Sequence, residues 1–471
     1  MALSFLIQLC ISVQTRNLKA IGAGLILSIS IIYLNFFCTQ AQFYHIILSY
    51  STAFCGYIGL LYCLKSNDSS GVFKLGLTLG LIIRIALLFA FPQLSDDIYR
   101  FLWDGHLIHQ GVQPLTHLPS DLIKDNTLTD GYLNNIFPLL NSPDYFTVYP
   151  PVSQLVFYMA TLSESWSLAF SAGVIKFILL LGDVGIVLML GKILQHFNKS
   201  TKWSLLYFLN PLVITEVCGQ LHFESLMVLF LCGTFYAIIN NRLGVAGAAL
   251  ALSVGTKLLP LMFVPLFIKH LIDRSESGKE FMTLLRFFLP FGFLLLLSFV
   301  PFFWSLDLAN FLASVNLYFQ SFEFNASIYY LLRSLGYLIT GYNQIAVIGP
   351  LLSLFTVSFI GYLAIKKEMS SVQALWRYCM LAFACYLFCT TTVHPWYLIM
   401  LLFFNSTYRW YWVLAWTVLI ILSYSTYMHP DFQQNLFLIS IEYLIVFSIL
   451  FFEWRKGRLD KFSGGEVQLE N

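Results

Sequence analysis

Charge is what this sequence has least of. Of its 471 residues only 11% are Asp, Glu, Lys or Arg, against 58% hydrophobic, whereas soluble domains carry about 25% charged residues. A chain so poor in charge does not cover itself against water. Its apolar segments recur along nearly the whole length, many near the roughly 17–25 residues that cross a bilayer. The expectation is an all-α, polytopic transmembrane bundle. Runs of like charge are missing as well: the net charge is +2 and no basic tract stands out, so nucleic acid is not an expected partner. Paired cysteine spacing is absent. The nine Cys fall mostly inside apolar segments (Cys38, Cys55, Cys63, Cys218, Cys232, Cys379, Cys385 and Cys389) and read as small buried hydrophobes, not metal ligands. No small-residue cleavage site follows the short apolar run before Arg16 and Lys19, so no removable signal peptide is expected. There is no internal repeat or low-complexity linker, and residues 1–471 read as one domain.

The apolar periods predict about twelve crossings, near 20–38, 43–64, 72–92, 170–195, 203–219, 225–240, 282–303, 343–365, 372–390, 396–406, 410–426 and 434–453. The stretch 243–268 contains Lys257 and Pro260 and reads as a re-entrant hairpin of two half-helices. Positive charge then sets the sidedness. With the N-terminus in the cytoplasm, 20 of the 26 Lys and Arg fall in inner loops or in the tail 454–471. Arg84, Arg100, Lys124, Lys176, Lys257 and Arg333 lie outside or within the membrane. Both termini are then cytoplasmic. Two long loops, about 93–169 and 304–342, fall on the outer side, where loops of this length usually carry function. The first mixes Leu and Ile with Asp, Lys and Asn over 120–140, the pattern of a short interfacial helix.

Polar residues collect on that outer face. Ser95-Asp96-Asp97-Ile98-Tyr99-Arg100 places two adjacent carboxylates just past the end of an apolar helix. Charge so close to hydrocarbon costs several kcal/mol, about 2.5–3.5 on insertion scales, and is seldom idle. If 95–106 is helical, Asp97, Arg100 and Asp104 share one face. Other outer turns carry His222 and Glu224 (in Gly219-Gln220-Leu221-His222-Phe223-Glu224), Asn325, and the run His394-Pro395-Trp396-Tyr397. Lys257 sits in the hairpin, where half-helix ends can meet an anion. Each has a bland reading: a helix cap, a snorkelling lysine, an aromatic belt. What favours function is that elements from distant parts of the chain are all expected at one face. Carboxylates there suit proton abstraction from an attacking hydroxyl. Cations suit a leaving phosphate as its charge develops. A donor that is itself a lipid would explain why so much of the protein is membrane. Arg84 and the pair Lys176 and Asp183 lie deeper and read as packing or pairing.

At these residues the chain resembles the GT-C superfamily of integral-membrane glycosyltransferases, closest to the bacterial polyprenol-phosphate mannosyltransferase type and more distantly to the mannosyltransferases of glycolipid-anchor synthesis. The matching text is Asp96-Asp97-Ile98-Tyr99-Arg100-Phe101-Leu102-Trp103-Asp104-Gly105, Gly111-Val112-Gln113-Pro114 and Tyr149-Pro150-Pro151-Val152-Ser153-Gln154. It continues with Asn210-Pro211, Gly219 to Glu224, Thr256-Lys257-Leu258-Leu259-Pro260, Phe324-Asn325-Ala326-Ser327 and His394 to Tyr397, in order over roughly 75–400. The resemblance implies an inverting enzyme using a polyprenyl-phosphate sugar, mannose or another sugar, with no metal or other cofactor for catalysis. It implies an acidic general base in the first outer loop, here Asp97 or Asp96. Arg100 and Lys257 are nominated to hold the departing phosphate, with His222 and His394 behind them. Asp104, Tyr149, Glu224, Asn325, Trp396 and Tyr397 complete the expected substrate site. Phe223-Glu224 departs from the family pattern, in which a small residue or Asn-Asp is common. The implied partners are a lipid-linked donor in the membrane and a glycan or glycolipid acceptor. The implied place is a bacterial inner membrane with the site toward the periplasm, although an endoplasmic reticulum lumen obeys the same physics. A secondary transporter or lipid flippase is the competing class, since broken helices and membrane carboxylates also mark transport paths. Such proteins usually show two matching halves, and none is visible here. A structural or assembly subunit is the third class. The motifs do not fix acceptor, linkage or oligomeric state.

Overall fold

The computed structural model describes residues 2–65, 69–124, 131–163, 166–303, 322–428 and 431–459, with side chains from Asn17 onward and not for 301–303. Helices form the architecture. The only β pairing among the described residues is one isolated bridge, Phe324 to Thr392. Nine described helices are long and apolar enough to cross a membrane, from Asn17–Phe37 to Leu436–Arg455. The number is ten if Pro211–Gly219 and Glu224–Ile239, bent by 113°, count as one broken span.

The difference from the expected twelve lies in three segments. Residues 203–219 do not form one helix. Pro211 lacks an N–H and cannot continue a preceding turn, so Asn210 caps a new start by accepting from the Leu212 N–H at 2.9 Å. The chain then widens into a π-turn, Ile214–Gly219, a rarity that recurs at functional sites. The partner span 225–240 is the other arm of that 113° bend. Pro395–Asn405 is apolar but belongs to the shorter class of 10–17 residues, too short to cross by itself. The hairpin is present as expected: Leu243–Thr256 ends at Lys257, whose backbone is extended, and the chain resumes through Leu259–Phe263 into Val264–Arg274. The interfacial stretch is two short helices, Pro119–Lys124 and Gly131–Ile136, and 125–130 lie outside the described residues. Of the second outer loop, 304–321 lie outside the described residues, as do 460–471 of the tail.

Buried polar groups lock the bundle. Arg84 Nε donates to Asp183 Oδ2 at 2.8 Å, Tyr207 donates to Asp183 Oδ1 at 3.1 Å, and the guanidinium lies over Phe208 at 4.1 Å. Lys176 donates to the Leu87 and Ala90 carbonyls, satisfying the end of helix Ser70–Leu87. Both are paired, as the sequence suggested, but Asp183 takes Arg84 and not Lys176, with which the sequence groups it. Tyr57 donates to the Leu206 carbonyl at 2.6 Å and Tyr50 to the Thr417 carbonyl at 2.7 Å, tying Phe43–Leu64 to two distant segments. None of the eight described cysteines is in a disulfide.

Candidate active site

The two aspartates open the 13-residue helix Asp97–His109, with Asp96 at its N-cap and Asp97 at its first position. The run into them is pinned from below. The Gln40 N–H donates to the Gln93 carbonyl at 3.2 Å and its side chain to the Leu94 carbonyl at 2.9 Å. Gln220 accepts from the Leu94 N–H at 2.8 Å and donates to Asn35 at 3.0 Å. Thus the Gly219–Glu224 turn and the first helix fix where the carboxylates begin. Gly219 is required there, because a Cβ would overlap the Asn35 amide. Gly105 lets the aspartate helix lie on Pro151–Ala160, since a Cβ would come within 2.5 Å of the Phe157 carbonyl.

Asp97 is the better held of the pair. Its Oδ2 accepts from the Tyr149 hydroxyl at 3.0 Å and its Oδ1 lies 3.4 Å from the Asn141 amide. Its side chain keeps 24% exposure. Asp96 is exposed, and burial of part of its carboxyl followed by the neighbouring Asp97 charge raises its pKa above the usual 3.8. Arg100 and Asp104 share a helix face with Asp97 as the spacing predicted, but they are committed to each other. Arg100 Nε meets Asp104 Oδ1 at 2.8 Å, and its Nη1 donates to the Ser142 and Tyr145 carbonyls at 3.2 and 2.9 Å. Gln154 donates to the other Asp104 oxygen at 2.9 Å. This buried knot holds the 141–149 segment over Asp97. It does not present a free cation.

His222 stands on the other side of Asp97. Leu221 takes a left-handed backbone, φ +69°, as the π-turn closes, a conformation that costs a non-glycine residue of order 1 kcal/mol and clusters at functional sites. The turn brings His222 Nε2 to 3.9 Å from Asp97 Oδ2, with Nδ1 at 2.9 Å from Glu216 Oε2 and 3.1 Å from the Glu216 carbonyl. Glu216 also accepts from Tyr424 at 3.0 Å. The Glu216 carbonyl accepts from the imidazole, with the Glu216 carboxylate beside it, so Nδ1 is the donor and Nε2 faces the aspartate. Sequence reasoning missed Glu216 and Tyr424. The signal was a lone Glu inside an apolar run six residues before His222.

A stack of rings leads away from His222. Its imidazole lies 3.6 Å from Trp396, Trp396 lies 4.4 Å from His394, and His394 lies 4.7 Å from Phe324, all near parallel. Phe324 is placed by the isolated bridge, its N–H donating to the Thr391 carbonyl at 3.0 Å and its carbonyl accepting from Val393 at 2.8 Å. Burial, then the His222 and Lys257 charges, push the His394 pKa from 6.5 down to about 3, so it is neutral at working pH. Lys257 forms an ion pair with Glu224 and lies 5.9 Å from the Tyr397 ring. Glu224 is 1% exposed and Lys257 is 17% exposed. Ser153 donates to the Thr256 carbonyl at 2.8 Å and so joins the hairpin to the first outer loop.

The structure thus gathers Asp96, Asp97, Tyr149, His222, Glu224, Lys257, His394, Trp396 and Tyr397. It does not bring the Asn325 side chain to them. That amide faces Glu442 at 3.1 Å, and Tyr443 donates to the Asn325 carbonyl at 2.6 Å. Its φ of +46° turns the chain so that Phe324, one residue earlier, reaches His394. Among the described residues no three of His, Cys, Asp and Glu group as metal ligands.

Residues 76–273 match the family model MptA_B, described as Alpha-(1->6)-mannopyranosyltransferase, N-terminal domain. The chain is homologous to mannosyltransferases. It is 24% identical over 234 residues to Alpha-(1->6)-mannopyranosyltransferase A of Corynebacterium glutamicum, a match covering 46% of this chain and 45% of that one. It is 28% identical over 124 residues to GPI mannosyltransferase 1 of Aspergillus oryzae, covering 25% of this chain and 29% of that one. The matches thus span less than half the length of either relative. The matched segment begins before the aspartate helix, ends beyond the hairpin lysine and includes Asp97, His222, Glu224 and Lys257. The ring stack at 324, 394 and 396 lies beyond that segment and is supplied by the fold.

Proposed function

We propose that the protein is an inverting glycosyltransferase that moves mannose from a polyprenyl-phosphate donor to a hydroxyl of a glycan or glycolipid acceptor. The reaction faces the extracytoplasmic side of the membrane, the periplasm of a bacterial inner membrane. The observation that carries the reading is the convergence of a partly exposed carboxylate, Asp97, with His222 and Lys257, each more than a hundred residues further along the chain. The family match and the mannosyltransferase relatives support it.

In this reading the acceptor oxygen bonds to the anomeric carbon as the bond from that carbon to the phosphate oxygen breaks. Asp97, with Asp96 beside it, takes the acceptor proton. Tyr149 and the helix N-terminus hold Asp97 in place. The lipid phosphate leaves with the electron pair, and Lys257 with His222 stabilises the charge that develops on it. Glu224 keeps Lys257 aimed, and Glu216 keeps His222 aimed. No metal or other cofactor enters these steps.

The test is transfer in proteoliposomes of purified protein given radiolabelled polyprenyl-phosphate mannose, beside the glucose and arabinose analogues. Transfer from the mannose lipid without an ion gradient is expected. Gradient-driven uptake with no covalent transfer would make the protein a transporter instead.

A further inference from the structure

A groove of about 540 Å³ opens at the far end of the bundle from the aspartates. The helix Phe43–Leu64 separates the two: Gln40, beside its start, touches the run into Asp96, while Lys65, beyond its last residue, lines the groove. Twenty-two residues of helix span about 33 Å. The two sites therefore lie at opposite ends of this helix.

Five cations line this groove, Lys65, Lys199, Arg409, Lys456 and Arg458, with no carboxylate lining it among the described residues. They come from three separate loops and the tail, so the fold has assembled them. Arg409 is held by a left-handed backbone, φ +58°, and lies 4.4 Å over the Trp203 ring. Its guanidinium forms no ion pair among the described residues, and burial with the nearby Arg458 charge lowers its pKa. Arg458 lies 3.9 Å over Tyr411 and reaches one carboxylate, Glu453, at 3.3 Å. Like charges crowded this way repel unless an anion sits among them. The rest of the groove is apolar, lined by Ile58, Leu61, Leu414 and Val418. Ile58 and Tyr411 are 56% and 47% exposed on the outer surface of their helices, so the apolar part opens sideways into hydrocarbon. Anion-binding cations above an apolar, laterally open cleft match a molecule with a phosphodiester head and acyl chains.

We propose that this groove binds an anionic phospholipid from the leaflet at the basic end of the bundle. The phosphodiester sits among Arg409, Arg458 and the three lysines, and an acyl chain lies along Ile58 and Leu414.

The experiment is native mass spectrometry and thermal stability of the full chain in neutral detergent with phosphatidylglycerol, phosphatidylcholine or inorganic phosphate, each tested alone. Phosphatidylglycerol is expected to stay bound and raise the melting temperature, while the other two do neither. Lys65→Gln, Lys199→Gln and Lys456→Gln together are expected to weaken phosphatidylglycerol retention roughly a hundredfold, at about fivefold per cation. Arg409→Gln is a second variant with the same expected direction, and circular dichroism with unliganded melting shows whether each variant is folded. Equal retention of phosphatidylcholine would overturn the proposal. So would protection by inorganic phosphate equal to that by the lipid, which would mark a free-anion site, or undiminished phosphatidylglycerol binding by both folded variants.

Discussion

Asp97→Asn is the perturbation that separates chemistry from architecture. An asparagine oxygen can still accept the Tyr149 hydroxyl now 3.0 Å from Oδ2, so the loop over the site keeps its anchor. What is lost structurally is a carboxylate at the first position of a helix, worth about 0.3–1 kcal/mol. The side chain is only 24% exposed, which puts that figure at the upper end. What is lost chemically is the proton acceptor, a factor of about 10²–10⁴ in rate, or roughly 2.7–5.5 kcal/mol of barrier. The two losses differ several-fold. The variant should therefore express and melt within a few degrees of wild type while mannose transfer from radiolabelled polyprenyl-phosphate mannose falls at least a hundredfold. Asp96→Asn is run alongside, because Asp96 is the more exposed member and has a raised pKa. If both single variants and the double variant turn over near normally, the base assignment is wrong. A large drop in melting temperature for Asp97→Asn would refute the claim that the carboxylate is not structural.

Lys257→Met leaves the buried Glu224 without its partner and is expected to cost about 3–5 kcal/mol. Adding Glu224→Gln should restore most of the stability and none of the donor affinity, read as melting temperature against KM for the lipid donor. His222→Gln should weaken transfer more than tenfold without abolishing it, because the ring stack is lost while Asp97 remains. Activity equal to wild type would remove His222 from the site. His394 has a folded pKa near 3 against 6.5 unfolded, so the unfolded chain takes up the proton first. Its contribution to stability is present above pH 6.5 and is lost as pH falls toward 3, at up to about 1.4 kcal/mol per unit. Melting temperatures from pH 7.5 to 5 should fall more steeply for wild type than for His394→Gln.

The membrane class, the hairpin and most helix positions were legible because hydrophobic period and proline are local signals. Phe43–Leu64 and Leu168–His196 sit within a few residues of the expected spans. The same local signals overcounted crossings at 203–219 and 396–406, where hydropathy does not register that Pro211 resets the helix or that eleven residues end too soon. At the site, paired carboxylates and histidine turns were visible as charge near hydrocarbon. The division of labour among them was not. Arg100 read as a phosphate ligand, yet its donors are taken by Asp104 and two loop carbonyls. Asn325 read as a site residue, yet it acts through the backbone turn that places Phe324.

The sequence by itself determined that this chain lives in a membrane, that most of its basic residues fall in loops other than the one that carries Asp96 and Asp97, and which residue types are available for transfer chemistry. Those properties follow from composition and from periods shorter than a helix. Only the tertiary structure decided that His222 stands between Glu216 and Asp97, that Trp396 stacks on it, and that five cations share a groove at the other end. Most of these contacts join residues more than a hundred positions apart. Their partners are chosen by packing and by the need to satisfy every buried polar group, and no local pattern carries that information.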